Sequence, residues 1–322
     1  MAQRRFRVRR REGDSPWSRP EASPARDESN GNRGHHRDWP RRQVPFSRRS
    51  AWSSPQVPPP GANDWDCTPT PDKPRPVILV NGTFTTQALS YQAGAPLLKN
   101  AGYCVCTFNF GNPSGVAQMP VQAIGDIHGS GRELADTVDR VVAATGAEEV
   151  DLVGHSQGAG ALPDYYINEL GGADKVHSRV GLAPSTGTTL SSLVYFRSLV
   201  PILGPALLGS TEAVFPALVQ QFVDSDFLGE VYPDGPSGAD DVDRVNIITE
   251  HDQVVTPFTG QYFEGPNVTN VLLQDGCAAD RSEHVSILYN ERAWLHVLNA
   301  LSPQDATPVP CFPVAPFAPW VR

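Results

Sequence analysis

Residues scattered along this chain have the types and spacing of a nucleophilic, proton-relaying site. Ser156 lies in Gly154-His155-Ser156-Gln157-Gly158, directly after the apolar run Val150-Asp151-Leu152-Val153. A strand that ends on Gly-x-Ser-x-Gly and passes at once into a helix makes a sharp, strained turn. The turn pushes the serine hydroxyl out at the end of a sheet. The positions two residues to either side must lack bulk, and Gly154 and Gly158 meet that need. An ordinary Gly/Ser turn is the competing explanation. The strand-like run before the motif and the helix-compatible Ala161-Leu162-Pro163-Asp164-Tyr165 after it favour the reactive one.

A serine hydroxyl is a weak nucleophile at neutral pH. It needs a base within hydrogen-bond reach and a carboxylate that orients the base. On a parallel sheet these partners belong in loops at the carboxyl ends of later strands, in the order serine, acid, histidine. The strand-like stretch 244–249 is followed by Glu250-His251-Asp252, which makes Asp252 the orienting acid and Glu250 its competitor. The next such stretch, 267–274, is followed by a loop that ends on His284, the expected base.

Other histidines fit less well. His155 sits inside the turn with its side chain expected to face the protein. His296 lies among Trp294, Leu295, Val297 and Leu298 in a helix-like run, which suits a structural role. His128 and His177 come too early in the chain. The reaction also needs N–H donors for the charge that develops on a carbonyl oxygen. Gln157 would supply one. Thr83, in the loop Asn81-Gly82-Thr83-Phe84 after the first apolar run, would supply the other, with its hydroxyl as an additional donor. This chemistry requires no metal or organic cofactor.

One rival motif points to different chemistry. Gly125-Asp126-Ile127-His128-Gly129 matches the first metal-binding block of calcineurin-like metallophosphoesterases. A dinuclear site needs further carboxylate, Asn and His ligands, and the blocks that carry them in that family do not occur here.

Elements that could position these residues alternate along the chain. Strands are expected at 76–81, 103–108, 150–154, 179–183, 244–249 and 267–274. Helices are expected at 87–100, 131–144, from the Ser156 turn to about 170, and at 285–301. Such alternation implies an α/β fold, a mostly parallel sheet with helices on both faces. Residues 186–230 form a mostly apolar, helix-like, Gly/Pro-broken insertion, including Leu193, Tyr195, Phe196, Ile202, Phe215 and Leu218. It reads either as a cap over the site or as ordinary helical core.

Charge divides the 322 residues unevenly around a net −9. Residues 1–60 carry 14 Arg and 6 acids, a net +8, and are rich in Pro and Ser. That composition cannot bury enough apolar surface to offset ordering entropy, so a disordered segment is expected. The remainder holds 12 basic and 29 acidic residues, a net −17, which argues against nucleic acid as a partner. The organisation expected is a leading segment 1–60, a body 61–302 and a Pro-rich tail 303–322.

The most apolar stretch, 193–208, is interrupted by Arg197, Pro201 and Pro205, so no integral membrane segment is expected. Arg4-Arg5-Phe6 is not followed by an apolar core, and no signal peptide is visible. The five cysteines lack zinc spacing and are widely separated. The pairings expected are Cys67–Cys104 and Cys277–Cys311, with Cys106 left over and reduced core cysteines as the alternative. Disulfides outweigh the missing signal peptide and point to an extracellular protein.

Taken together, these residues resemble the actinobacterial secreted lipases of the class 2 (triacylglycerol lipase) group. The likeness runs from about Asp64 to Pro303. It includes Pro76-Val-Ile-Leu-Val-Asn-Gly-Thr-Phe, Val150-Asp-Leu-Val-Gly-His-Ser-Gln-Gly and Gly181-Leu-Ala-Pro-Ser. The resemblance implies an α/β-hydrolase fold and hydrolysis of carboxylic esters. It implies Ser156, Asp252 and His284 as triad, with Thr83 and Gln157 at the oxyanion hole. The substrate would be a lipid or small ester, met by a monomer in transient contact with a lipid–water interface. Acyl transfer and polyester depolymerisation would use the same acyl-enzyme. One departure is Asn81, where the family usually has His.

Overall fold

In β1 (Val77–Val80) every residue is fully buried. Side chains alternate along a strand, so Val77 and Leu79 enter one apolar cluster while Ile78 and Val80 enter another. Both faces of the strand are covered, which explains its uninterrupted apolar sequence. The computed structural model describes residues 54–116, 118–190, 212–238 and 241–316.

Five further strands join β1 among these residues: β2 (Val105–Thr107), β3 (Val150–His155), β4 (Val176–Leu182), β5 (Asp243–Ile248) and β6 (Val268–Leu272). They form one sheet in the order β2-β1-β3-β4-β5-β6, and every adjacent pair is parallel. The expected α/β class and parallel sheet are therefore observed.

Seven helices accompany the sheet among the described residues: α1 (Gln87–Ser90), α2 (Gly94–Asn100), α3 (Ile127–Thr145), α4 (Ala161–Glu169), α5 (Pro216–Gln220), α6 (Asp226–Val231) and α7 (Glu291–Leu301). Leu97 and Leu98 of α2 and Trp294 and Val297 of α7 share the cluster of Val77 and Leu79. Leu134 and Val138 of α3 and Leu162 and Tyr166 of α4 share the cluster of Ile78 and Val80. Helices thus cover both faces, three layers in all.

Several expectations shift in detail. The single helix expected over 87–100 is two, because Pro96 fits only in the first turn of a helix. A helix running through it would lose a hydrogen bond and clash with the carbonyl four residues back. Helix α3 begins at Ile127, four residues before the expected start, because Asp126 caps it there.

Residues 54–60, the end of the segment expected to be disordered, lie against the body. Pro55 and Gln56 accept hydrogen bonds from Asn109 and Gln87. The tail is held as well. Cys311 bonds to Cys277, and Val314 pairs with Asp280 in a short parallel bridge. The second expected disulfide, Cys67–Cys104, is also present, and Cys106 is free and buried. Within the insertion expected at 186–230, the residues Leu193, Tyr195, Phe196 and Ile202 lie outside the described residues, as do residues 1–53. Among the described residues no helix is long and apolar enough to cross a membrane.

Candidate active site

The turn after β3 has the geometry its glycines demand. Ser156 adopts φ 56°, a left-handed backbone that costs a residue with a side chain about 1 kcal/mol or more. A Cβ on Gly154 would sit 1.7 Å from the Gly158 carbonyl oxygen. A Cβ on Gly158 would sit 2.3 Å from the Val80 oxygen of the neighbouring strand. Only glycine fits at either position. The strain is tolerated because β3 and the 3-10 turn Ser156–Ala159 leading to α4 are packed on all sides.

His284 Nε2 lies 3.0 Å from Ser156 Oγ, and its Nδ1 lies 2.8 Å from Asp252 Oδ2. All three residues are buried. Asp252 leaves β5 in a tight turn in which its Oδ1 accepts the N–H groups of Val254 and Val255, both at 2.8 Å. Its Oδ2 also accepts from Gln261 Nε2 at 3.0 Å. Burial pushes this carboxyl pKa up. The facing His284 and the backbone N–H groups outweigh that and hold it below the usual carboxylate value. Glu250, the competing acid, is exposed and stands against His251 at 3.8 Å.

The loop carrying His284 is fixed by polar contacts at its base. Asp280 accepts from Arg292 and Asn290 of the α7 end, both at 2.8 Å. Glu283 accepts the N–H groups of Val285 and Ser286 at 2.9 Å each, closing the turn around the histidine. His296 is half-buried on α7, and burial lowers its pKa.

The loop after β1 presses directly on the serine. A Cβ on Gly82 would lie 3.0 Å from Ser156 Cβ. Asn81 Nδ2 ties the loop by donating to the carbonyls of Gly82 and Thr85 at 3.2 and 3.0 Å. Thr83 Oγ1 stands 3.3 Å from Gln157 Oε1, so the two expected oxyanion residues meet across the serine. Among the described residues the backbone N–H of Thr83, in the loop after β1, has no protein acceptor.

Three contributors escaped sequence reasoning. Gln261 steadies Asp252, and Gln221 donates to Thr83 Oγ1 at 2.9 Å. His155 does face the protein, and its Nε2 donates to the His284 carbonyl at 2.7 Å. Burial, followed by the nearby His284, drives the His155 pKa down to about 3, so this ring is neutral. No local pattern marks these contacts, since the bonded residues lie 129 and 138 positions apart for His155 and Gln221.

The rival pentapeptide is a helix cap. Asp126 accepts the N–H groups of His128 and Gly129 at the start of α3, while His128 bridges Asp126 and Glu230 at 3.0 Å each. Among the described residues no group of three His, Cys, Asp or Glu side chains could hold a metal ion.

The family model described as "Lipase (class 2)" matches residues 74–285, which span every residue of the site. The chain belongs to the class 2 lipase family. No curated protein matches it. Among solved structures it is similar to Aspergillus fumigatus lipase B, with a TM-score of 0.57 and 21% identity over 79% of this chain. The match covers 57% of the fungal lipase. It is also similar to a protein of Agrobacterium vitis S4, with a TM-score of 0.50, 18% identity, 74% of this chain and 90% of that one. At these identities the likeness is one of fold, and it is that of α/β-hydrolases.

Proposed function

We propose that this protein is a serine carboxylic-ester hydrolase that cleaves acylglycerols or similar lipid esters through Ser156, His284 and Asp252. The observation that carries the reading is the continuous relay from Ser156 Oγ through His284 to Asp252, at 3.0 and 2.8 Å. His284 Nε2 takes the hydroxyl proton as Ser156 Oγ bonds to the ester carbonyl carbon. The negative charge that moves to the carbonyl oxygen is met by the N–H groups of Thr83 and Gln157. His284 then gives the proton to the leaving alkoxide, the C–O bond breaks, and an acyl-Ser156 ester remains. Water repeats the cycle, releasing the acid and restoring the hydroxyl. Asp252 stays ionised and keeps Nδ1–H pointing toward itself, so that Nε2 faces the serine with a lone pair.

Apolar surface beside the site supports a lipid-like ester. Phe84, directly after Thr83, is 39% exposed, and Val285, directly after His284, is 55% exposed. Phe84 stacks edge-on against Phe215 of the insertion at 5.4 Å. These side chains suit an acyl group or brief contact with a lipid surface. The apolar insertion around 212–231 acts as part of a cap on the body. Two disulfides and the resemblance to secreted lipases favour an extracellular location.

Ser156→Ala should abolish turnover of p-nitrophenyl butyrate while leaving thermal unfolding unchanged. His284→Ala should lose nearly as much and His296→Ala almost nothing. Turnover retained by the Ser156 variant would refute the reading.

A further inference from the structure

The insertion between β4 and β5 reaches the site through a side chain that the relay does not use. Gln221 follows α5 and is buried. Its Nε2 donates to the Ala217 carbonyl at 2.8 Å and to Thr83 Oγ1 at 2.9 Å. A carbonyl can only accept, so the Ala217 contact decides which end of the amide is nitrogen. Both amide hydrogens are then committed, one to each partner. A hydroxyl that accepts from Gln221 must send its own hydrogen elsewhere. Gln157 Oε1 receives it at 3.3 Å, a long contact to a neutral oxygen.

The segment carrying Gln221 is itself pinned. Gln220 Oε1 accepts the Ile127 N–H at 2.8 Å, and its Nε2 donates to Asp126 Oδ1 at 2.6 Å. The Gln221 carbonyl accepts the Thr188 N–H at 2.9 Å. The amide is therefore held on both sides before any substrate arrives.

We propose that Gln221 is a positioning residue that sets the Thr83 hydroxyl as a third oxyanion donor, beside the N–H groups of Thr83 and Gln157. This rests on the hydrolase reading above. Gln221 occupies a lone pair of Thr83 Oγ1 and leaves its O–H free to turn. In the resting enzyme the O–H lies on Gln157 Oε1. When Ser156 attacks, the acyl oxygen becomes an anion, and a charged acceptor outcompetes a neutral one reached at 3.3 Å. The donor strengthens only as charge develops, which lowers the barrier rather than tightening substrate binding. The insertion then contributes to the rate as well as to the cover.

The test compares Gln221→Ala, Gln221→Glu, Thr83→Val and the Thr83→Val/Gln221→Ala pair on p-nitrophenyl butyrate. A second readout is inhibition by an alkylboronic acid, which forms an anionic tetrahedral adduct on the serine. Removing an oxyanion donor costs about 10²–10³ in kcat, so Thr83→Val should lose about 10² and Gln221→Ala about tenfold. KM should hold within about twofold, and boronate affinity should fall with kcat. On the Thr83→Val background, Gln221→Ala should change kcat by less than about twofold, since no hydroxyl remains to orient.

Gln221→Glu keeps the side-chain length and serves if the alanine variant fails to fold. Its carboxylate accepts the Thr83 hydrogen, so it should lose at least as much as Gln221→Ala. Losses that multiply in the pair, or Gln221 variants with wild-type kcat and boronate affinity, overturn the proposal. Ser156→Ala run alongside separates the two readings. If it is inactive and the Gln221 variants are silent, only the role of Gln221 fails. If it keeps turnover, the hydrolase reading has failed first.

Discussion

Replacing Asp252 by Asn changes few atoms and should nearly silence the enzyme. Among the described residues every partner of the carboxylate is a donor: the N–H groups of Val254 and Val255 on Oδ1, and Gln261 Nε2 and His284 Nδ1 on Oδ2. An asparagine must turn its NH₂ toward one of these pairs. Facing the turn, it would strand two buried backbone donors, each costing about 1–3 kcal/mol. Facing His284, it loses the weaker Gln261 contact and lets the imidazole adapt. The NH₂ therefore faces His284 and donates to Nδ1. The ring proton moves to Nε2, which then points an N–H at Ser156 Oγ and cannot take its proton. That tautomer reversal is worth about 10⁴ in kcat, or about 5.5 kcal/mol of barrier. The fold should survive, since the two backbone bonds to Oδ1 persist. The assay is kcat on p-nitrophenyl butyrate with urea unfolding of the same preparation. A loss below about tenfold in a folded variant would refute the assignment of Asp252.

Two further outcomes follow from the surroundings of the site. The folded-state pKa of His155 is about 3, below its ordinary 6.5. Between those values the unfolded chain binds a proton that the folded one does not, so stability falls as pH drops from about 6.5 toward 3. The slope this residue contributes is at most one proton, about 1.4 kcal/mol per pH unit, and His155→Gln should remove it in urea titrations across that range. Separately, Cys277–Cys311 closes a 34-residue separation and ties the tail to the loop that ends on His284. Loop-closure entropy gives that bridge about 3–4 kcal/mol, so the Cys277→Ser/Cys311→Ser pair should unfold at correspondingly lower urea. An unchanged midpoint would mean the tail contacts alone hold the loop.

The alternating strands and helices were legible because burial on both faces leaves uninterrupted apolar runs such as Val77–Val80. Boundaries were less so. The break between α1 and α2 turned on Pro96 in a stretch whose apolar spacing was otherwise helical. The rival block at 125–129 was a chance match, because Asp126 and His128 have the right types for a metal and an equally good use as a cap.

What the chain alone determined about the site is what lies within a few residues of contour. Gly154 precedes a strained serine, and the turn itself demands that glycine, since a Cβ there would meet the Gly158 carbonyl four residues on. Ser156, Asp252 and His284 each follow a strand, and parallel strands bring their carboxyl ends to one edge of the sheet. Tertiary structure decided the rest. It set Asp252, the acid of the proposed relay, rather than Glu250 against His284, with its carboxylate turned inward onto donors from Val254, Val255 and Gln261. It brought His155 under the His284 carbonyl and Gln221 onto Thr83, across more than a hundred residues each. A hydrogen bond is satisfied by whatever group folding delivers within about 3 Å, and nothing in the local sequence of either partner records which group that will be.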